Sequence, residues 1–227
     1  MTEMKRFAVY YAPPAGDFAD RANRWLGRDP VSGQALVPPD LGLDAAAITT
    51  EPRRYGFHGT IKPPFRLAPG VTPNDVKGAV AALAARLAPV TVLGLRIATL
   101  DGFLALIPDG DAGPLLDLAG TVVRDLDPLR APLTDAEVAR RRPDRLSARQ
   151  RDLLDQWGYP FVFEEFRFHL TLTDRLPADQ AAQAQRVLGD YFAPVLPRPF
   201  VVGDLCLFGE PQDGGPFRLI HRYALTG

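Results

Sequence analysis

One pattern is written twice in this chain, and the duplication limits what it can become. His58-Gly59-Thr60-Ile61 and His169-Leu170-Thr171-Leu172 stand about half the chain apart, and each opens the same order of segments: strand, helix, strand, strand. The first unit starts with a strand expected from about Arg54 to Lys62, stopped by Pro63-Pro64. Thr72-Pro73-Asn74-Asp75 then supplies a capping hydroxyl, a proline for the first helical position and an acid for the dipole, ahead of an apolar stripe at Val76, Val80, Leu83 and Leu87. Strand-like segments Val90 to Ala98 and Phe103 to Ile107 follow, with a hairpin signal at Asp101-Gly102. The second unit runs from a strand at about Glu165 to Thr173, through a helix opened by Pro177 with a stripe at Ala184, Val187, Leu188 and Tyr191. It ends in strands at Phe200 to Phe208 and Phe217 to Leu225. Such a repeat predicts an internal duplication with lobes at about 50–110 and 163–227 inside one domain, 1–227.

The remaining segments attach to those lobes. Phe7 to Tyr11, ended by Pro13-Pro14, reads as a buried strand, and Asp17 to Leu26 as a helix with Phe18, Ala22 and Trp25 on one face. Together they make an N-terminal strand and helix over 5–27. Gly27 to Ile48 is rich in Gly and Pro and is expected to be an irregular loop. Between the lobes, Pro114 to Leu126 has a helical stripe at Leu115, Leu118, Val122 and Leu126. Thr134 to Glu137 and Ser147 to Gln150 have capping-box spacing, so two short helices broken at Pro143 are expected in an insert at about 130–158. That insert carries Arg140, Arg141, Arg142, Arg145, Arg149 and Arg151. With Asp135, Glu137, Asp144 and Asp152 interleaved, it reads first as a solvated face and second as a flap that grips phosphate.

Composition narrows the partners. The chain has 227 residues, 46% hydrophobic and 23% charged, enough for one sizeable core. A net charge of −1 gives no general attraction to polyphosphate, which argues against a long nucleic-acid duplex and leaves small phosphates open. Its single cysteine, Cys206, forbids an internal disulfide and fits a reducing compartment. No apolar run approaches the ~20 residues of a membrane span, and no signal-peptide core precedes the first strand. These features predict a cytoplasmic protein with no membrane partner. Oligomeric state is not fixed by them.

Strand alternation turns the duplicated pattern into chemistry. Arg54, Gly56, His58, Thr60 and Lys62 are expected on one face of the first strand, and Glu165, Arg167, His169, Thr171 and Thr173 on one face of the second. The opposite faces are apolar. If the two polar faces meet, the cavity holds two imidazoles, two threonine hydroxyls, Lys62 and Arg167. That set suits a phosphodiester: cations and hydroxyls hold the non-bridging oxygens while one imidazole takes a proton from the nucleophile and the other gives one to the leaving oxygen. Competing readings are buried histidines bonded to neighbouring hydroxyls, a binding module for a nucleotide or RNA end that does no chemistry, and a zinc site of His58, His169 and His221. The zinc site would leave both threonines without a role. His221 lacks the frame and reads as structural.

These residues closely resemble the paired motif of the two-histidine (2H) phosphoesterase superfamily, whose members include RNA ligase-like proteins and cyclic nucleotide phosphodiesterases. Arg53-Arg54-Tyr55-Gly56-Phe57-His58-Gly59-Thr60-Ile61-Lys62-Pro63-Pro64-Phe65, with Tyr10-Tyr11-Ala12-Pro13-Pro14, also looks like a bacterial branch associated with phosphonate-utilisation operons. The resemblance implies an α+β, bilobal fold with pseudo-twofold symmetry, in which antiparallel sheets line a central cleft and helices pack outside. It implies metal-independent, cofactor-free chemistry on a small phosphodiester, with a cyclic ribosyl phosphate or cyclic nucleotide as substrate and a short RNA end as a further ligand class. His58 and His169 carry over as acid and base, and Thr60 and Thr171 as phosphate ligands. Lys62 and Arg167 join them as cations, and Arg54, Tyr11, Arg141 and Arg145 are candidates for contacts to the rest of the substrate. Gly59 departs from the alanine often found after the first histidine. The arginine-bearing insert lies outside the shared core.

Overall fold

The computed structural model describes residues 3–227. Nine strands and eight α-helices are distributed along it: β1 Met4–Tyr11, α1 Asp17–Leu26, α2 Ala45–Ile48, α3 Thr50–Tyr55, β2 Gly59–Phe65, α4 Pro73–Ala84, β3 Val90–Val92, β4 Gly94–Leu100 and β5 Phe103–Asp109. Then come α5 Gly113–Asp125, α6 Asp135–Arg140, α7 Ala148–Trp157, β6 Leu170–Arg175, α8 Ala178–Phe192, β7 Phe200–Val202, β8 Asp204–Pro211 and β9 Arg218–Ala224. Seven strands form one sheet in the order β4-β5-β6-β2-β1-β8-β9, and β3 pairs with β7 in a small second sheet. Every paired neighbour is antiparallel. The fold is α+β.

The expected helices form where their caps and stripes place them. Thr72 accepts from the Asp75 amide and Asp75 returns the bond at the start of α4, and the same reciprocal pair closes α6 (Thr134, Glu137) and α7 (Ser147, Gln150). Val76, Val80 and Leu83 of α4, Leu115, Leu118 and Val122 of α5, and Ala184 and Leu188 of α8 enter the main core. Trp25 of α1 is fully buried there, and its Nε1–H donates to Leu172 O at 2.7 Å, tying that helix under β6.

Several boundaries differ from expectation. The strand expected over Arg54 to Lys62 is divided: Arg54 and Tyr55 lie in the last turn of α3, whose first amides, Thr50 and Glu51, donate to the Asp174 carboxylate of β6 at 2.8 and 3.0 Å. That cap comes from the other half of the chain, which local pattern cannot reveal. Pro63-Pro64 does not end β2, because the β1–β2 register skips there, from Val9↔Lys62 to Phe7↔Phe65, and a bulge leaves prolines unopposed. The second histidine strand also starts late, at Leu170, after a 3₁₀ turn at Phe163–Glu165. Val90 to Ala98 and Phe200 to Phe208 each split in two. The first half of each pairs with its counterpart, β3 with β7, while β4 and β8 enter the large sheet.

The two halves of the large sheet meet between β2 and β6 through one ladder pair, Gly59↔Leu170. Outward from that seam, β6, β5 and β4 on one side face β2, β1 and β8 on the other. The place that β5 holds in the first half is therefore held in the second by the N-terminal strand β1, and β9 is added at the outer edge. Gly59 is the tightest point of the join: a methyl group on its Cα would sit 2.6 Å from Phe168 Cζ and 2.8 Å from Cε2. Phe168 is buried, wedged between Tyr11 and Phe200, and has little room to move. Overpacking of this kind typically costs about 1–3 kcal/mol. We expect Gly59→Ala to lower unfolding free energy by about that amount in urea titrations, and Phe168→Leu to recover part of the loss in the double variant; an unchanged midpoint for Gly59→Ala would show that Phe168 is free to yield.

Candidate active site

Directly opposed residues of an antiparallel pair share a face. Continuing the Gly59↔Leu170 register by one residue sets His58 opposite Thr171 and Thr60 opposite His169. The four side chains stand on one face, each half-buried, while Phe57, Gly59, Ile61, Phe168, Leu170 and Leu172 are buried on the other. Both frames therefore present the expected alternation at the seam where the two half-sheets pair.

Each imidazole is held the same way. His58 Nδ1 lies 2.8 Å from Gly56 O and His169 Nδ1 lies 2.7 Å from Arg167 O, the carbonyl two residues back in both cases. A carbonyl only accepts, so Nδ1 carries the proton of the neutral ring and Nε2 is left with its lone pair. Thr60 Oγ1 is 3.3 Å from His58 Nε2, placed to donate to it. Gly56 is required for this hold: its φ is +78°, and a Cβ there would stand 2.7 Å from Pro30 Cβ. The surroundings of the rings differ. Tyr10 lies against His58 with ring centroids 4.0 Å apart, and burial pulls the His58 pKa down to about 4, against the opposing pull of the Gly56 carbonyl and with a further lowering by a charge on His169. Burial also lowers the pKa of His169, but the Arg167 carbonyl and the negative charge of Asp101 work against it.

A cleft of about 420 Å³ opens on the His169 side, lined by Thr60, His169, Asp101, Phe103, Arg167 and Arg175, with Tyr159 and Phe161 from the segment after α7. Arg167 is thus on the cleft wall as expected. Arg141 reaches its rim indirectly, its guanidinium 4.7 Å from the centre of the Tyr159 ring, and Arg145 is exposed on the insert. Arg54 is half-exposed and donates to Glu210 Oε1 at 2.8 Å, sharing that buried carboxylate with Arg6.

Two expected contacts are elsewhere. Tyr11 points to the helix side of the sheet, where its ring packs 4.9 Å from Phe200 and 6.2 Å from Phe168. Tyr10, directly opposite Thr60, takes the cleft face instead. Lys62 is carried behind the sheet by the β2 bulge, and its Nζ donates to Val123 O in the last turn of α5 at 3.1 Å, with Asp127 Oδ1 at 3.5 Å. It caps a helix C-terminus rather than facing a phosphate. His221 is exposed on β9 opposite Leu207, on the face away from the two cleft histidines. Among the described residues no three His, Cys, Asp or Glu side chains converge as a metal site, and no helix is long and apolar enough to cross a membrane. Asp101, Tyr159 and Arg175 were missed by sequence reasoning. Only Asp101 had a local signal, as the first residue of a two-residue hairpin turn.

Residues 60–218 match the family described as "Protein of unknown function (DUF1045)", well over half of the chain. The chain belongs to this family. It is also 35% identical, over 99% of its length, to "Ribose 1,5-bisphosphate phosphokinase PhnN" of Janthinobacterium sp. (strain Marseille), covering 51% of that protein. It is 38% identical, over 94% of its length, to the protein of the same name from Laribacter hongkongensis (strain HLHK9), covering 50% of it. The chain spans about half the length of the curated relatives it matches. Among solved structures it is similar to TT0787 of Thermus thermophilus, with a TM-score of 0.48 and 16% identity over 98% of both chains. It is similar as well to E. coli LigT complexed with 3′-AMP, with a TM-score of 0.45 and 14% identity over 99% of this chain and 100% of that one.

The buried position of Lys62 couples folding to pH. Burial lowers its pKa to about 8, against the pull of Asp127, while an unfolded lysine keeps its proton to ~10.5. Between those values the unfolded chain binds more protons, so this group makes folding stability rise with pH from about 8 to about 10.5. We expect the wild type to gain about 2 kcal/mol relative to Lys62→Met between pH 7 and 9.5, read by denaturant titration of both proteins, with phosphate binding in the cleft kept in the variant. Parallel pH profiles would return Lys62 to an exposed, solvated position.

Proposed function

We propose that the protein is a two-histidine phosphodiesterase that opens a small cyclic phosphodiester without a metal, its substrate being a cyclic ribosyl phosphate. The observation that carries this reading is the pair of imidazoles across the β2–β6 seam, each fixed through Nδ1 by a carbonyl so that Nε2 is free to take or give a proton. An anion between them would be flanked by the Thr60 and Thr171 hydroxyls, with Arg167 on the cleft wall.

The roles divide along the asymmetry of the site. His58, with the lower pKa, is the base: its Nε2 takes a proton from water as the water oxygen bonds to phosphorus. His169, beside Asp101, is the acid: its Nε2–H passes to the ring oxygen as the phosphorus–oxygen bond to that oxygen breaks. A phosphomonoester results, and proton exchange with solvent resets both rings. The bound phosphate anion favours the charged form of His169 in the complex. The choice of sugar draws on the relatives' name: opening a 1,2-cyclic phosphate of ribose 5-phosphate at O2 leaves ribose 1,5-bisphosphate, the compound in that name.

Turnover of ribosyl and nucleoside cyclic phosphates tests the proposal. His58→Ala and His169→Ala should each lose about 10²–10⁴ in kcat, and Thr60→Ala or Thr171→Ala less, since each removes one hydrogen bond and no proton carrier. kcat/KM should follow a bell whose lower limb falls near pH 4 with His58 and whose upper limb lies below the ordinary histidine value of ~6.5 with His169. Full turnover by either histidine-to-alanine variant would reject the mechanism.

A further inference from the structure

The two halves of the cleft are built from corresponding strands, yet they are filled differently. Beside His58 the floor carries Tyr10, Cys206 and Phe208, covered by Phe217 and flanked by Tyr55, and the two guanidiniums there, Arg6 and Arg54, are both bound to Glu210. Beside His169 the space stays open as the cleft, with Leu100, Phe103, Phe161 and Phe166 along its walls. Two arginines stand on the walls of that space, Arg167 and Arg175. Both are exposed, and among the described residues neither has a carboxylate within ion-pair distance or a side-chain hydrogen bond. The two acids of the same cavity are placed otherwise: Glu165 accepts from Gln150 Nε2 at 3.0 Å, and Asp101 lies beside His169.

We propose that Arg167 and Arg175 form a second anion subsite, which takes a phosphomonoester carried on the sugar of the substrate. Register places Arg175 opposite Phe103, whose ring centre is 5.6 Å from that of His169, so the guanidinium rises from the same face as the reacting groups, one aromatic ring away. Four residues of β6, Thr171 to Arg175, span only the two of β5 from Ala105 to Phe103, so a bulge brings Arg175 nearer to Thr171 than the ~13 Å of a regular strand, and the long side chain can lean back over the gap. Arg167 approaches from the opposite end, two residues before His169. Two guanidiniums in one cavity without a carboxylate partner leave their charge uncompensated, whereas a phosphate dianion between them gains two charge-assisted, fork-shaped contacts. Phe103 and Phe161 supply apolar walls for the sugar between the two anions. The subsite rests on the phosphodiesterase reading for the identity of the sugar, and on the unpaired arginines for its existence.

Calorimetric titration of ribose 1-phosphate, ribose 5-phosphate and ribose 1,5-bisphosphate tests it without relying on turnover. The wild type should bind the bisphosphate at least about tenfold more tightly than either monophosphate, and Arg175→Gln and Arg167→Gln should each cut that preference to below about threefold. Both side chains are exposed, so both variants should melt with the wild type, and a thermal scan separates lost binding from lost folding. Absence of a preference in the wild type, or its survival in both variants, overturns the subsite. A preference that depends on the arginines, in a protein that opens no cyclic phosphate, upholds the subsite and rejects the phosphodiesterase reading; turnover with no such preference does the reverse.

Discussion

The contact on which the molecule turns is the pairing of Gly59 with Leu170, where two half-sheets join edge to edge. A ladder this short holds the halves together only with support from outside it. Phe168 lies against Gly59 from the helix side, Trp25 bonds to Leu172 O from beneath, and the Asp174 carboxylate caps α3, the helix that delivers His58. The same brevity makes a site possible. Had β2 and β6 paired along their whole length, the histidines would lie in the middle of a closed sheet; because the chain leaves the ladder within a residue or two, the His169 side opens on the cleft.

Asymmetry is laid over this symmetric frame by side-chain volume. Tyr10, Phe208 and Phe217 fill the His58 flank of the seam, whereas the His169 flank opens on the cleft. Packing also separates the two imidazoles electrostatically. Tyr10 against His58 excludes the water that would stabilise a charged ring, whereas the Asp101 turn sets a negative charge by His169. The histidine and threonine of a duplicated motif are thereby set in two different environments.

What could be read from sequence was what depends on neighbours in the chain. The caps of α4, α6 and α7, the Asp101-Gly102 hairpin and the buried stripes are local, and they stand where the residues place them. The shared face of His58 with Thr60 and of His169 with Thr171 follows from the period of two in a strand, and the α+β class was what the family resemblance implied. What escaped depends on partners far along the chain. Strict alternation put Arg54 and Lys62 beside His58, but a cap donated by β6 keeps Arg54 helical and a bulge against β1 turns Lys62 to the back of the sheet. The equivalence of the last strands of the two units fails for a similar reason: β1, from outside the repeat, occupies the inner place, and no local pattern records which strand reaches an edge first.

Lys62 and Arg175 show how charge and position must be read together. Both are cations on strands that carry a histidine frame, and sequence proximity favours Lys62, four residues from His58, over Arg175, six from His169. Burial reverses the order. An ammonium deep behind a sheet must find acceptors there, and the end of α5 supplies a carbonyl and a carboxylate, which leaves nothing for a ligand. The Arg175 guanidinium, on an open wall, has no carboxylate within ion-pair distance among the described residues. The distinguishing quantity is the number of acceptors already facing the charge, and that number is set by which elements the fold stacks against each strand.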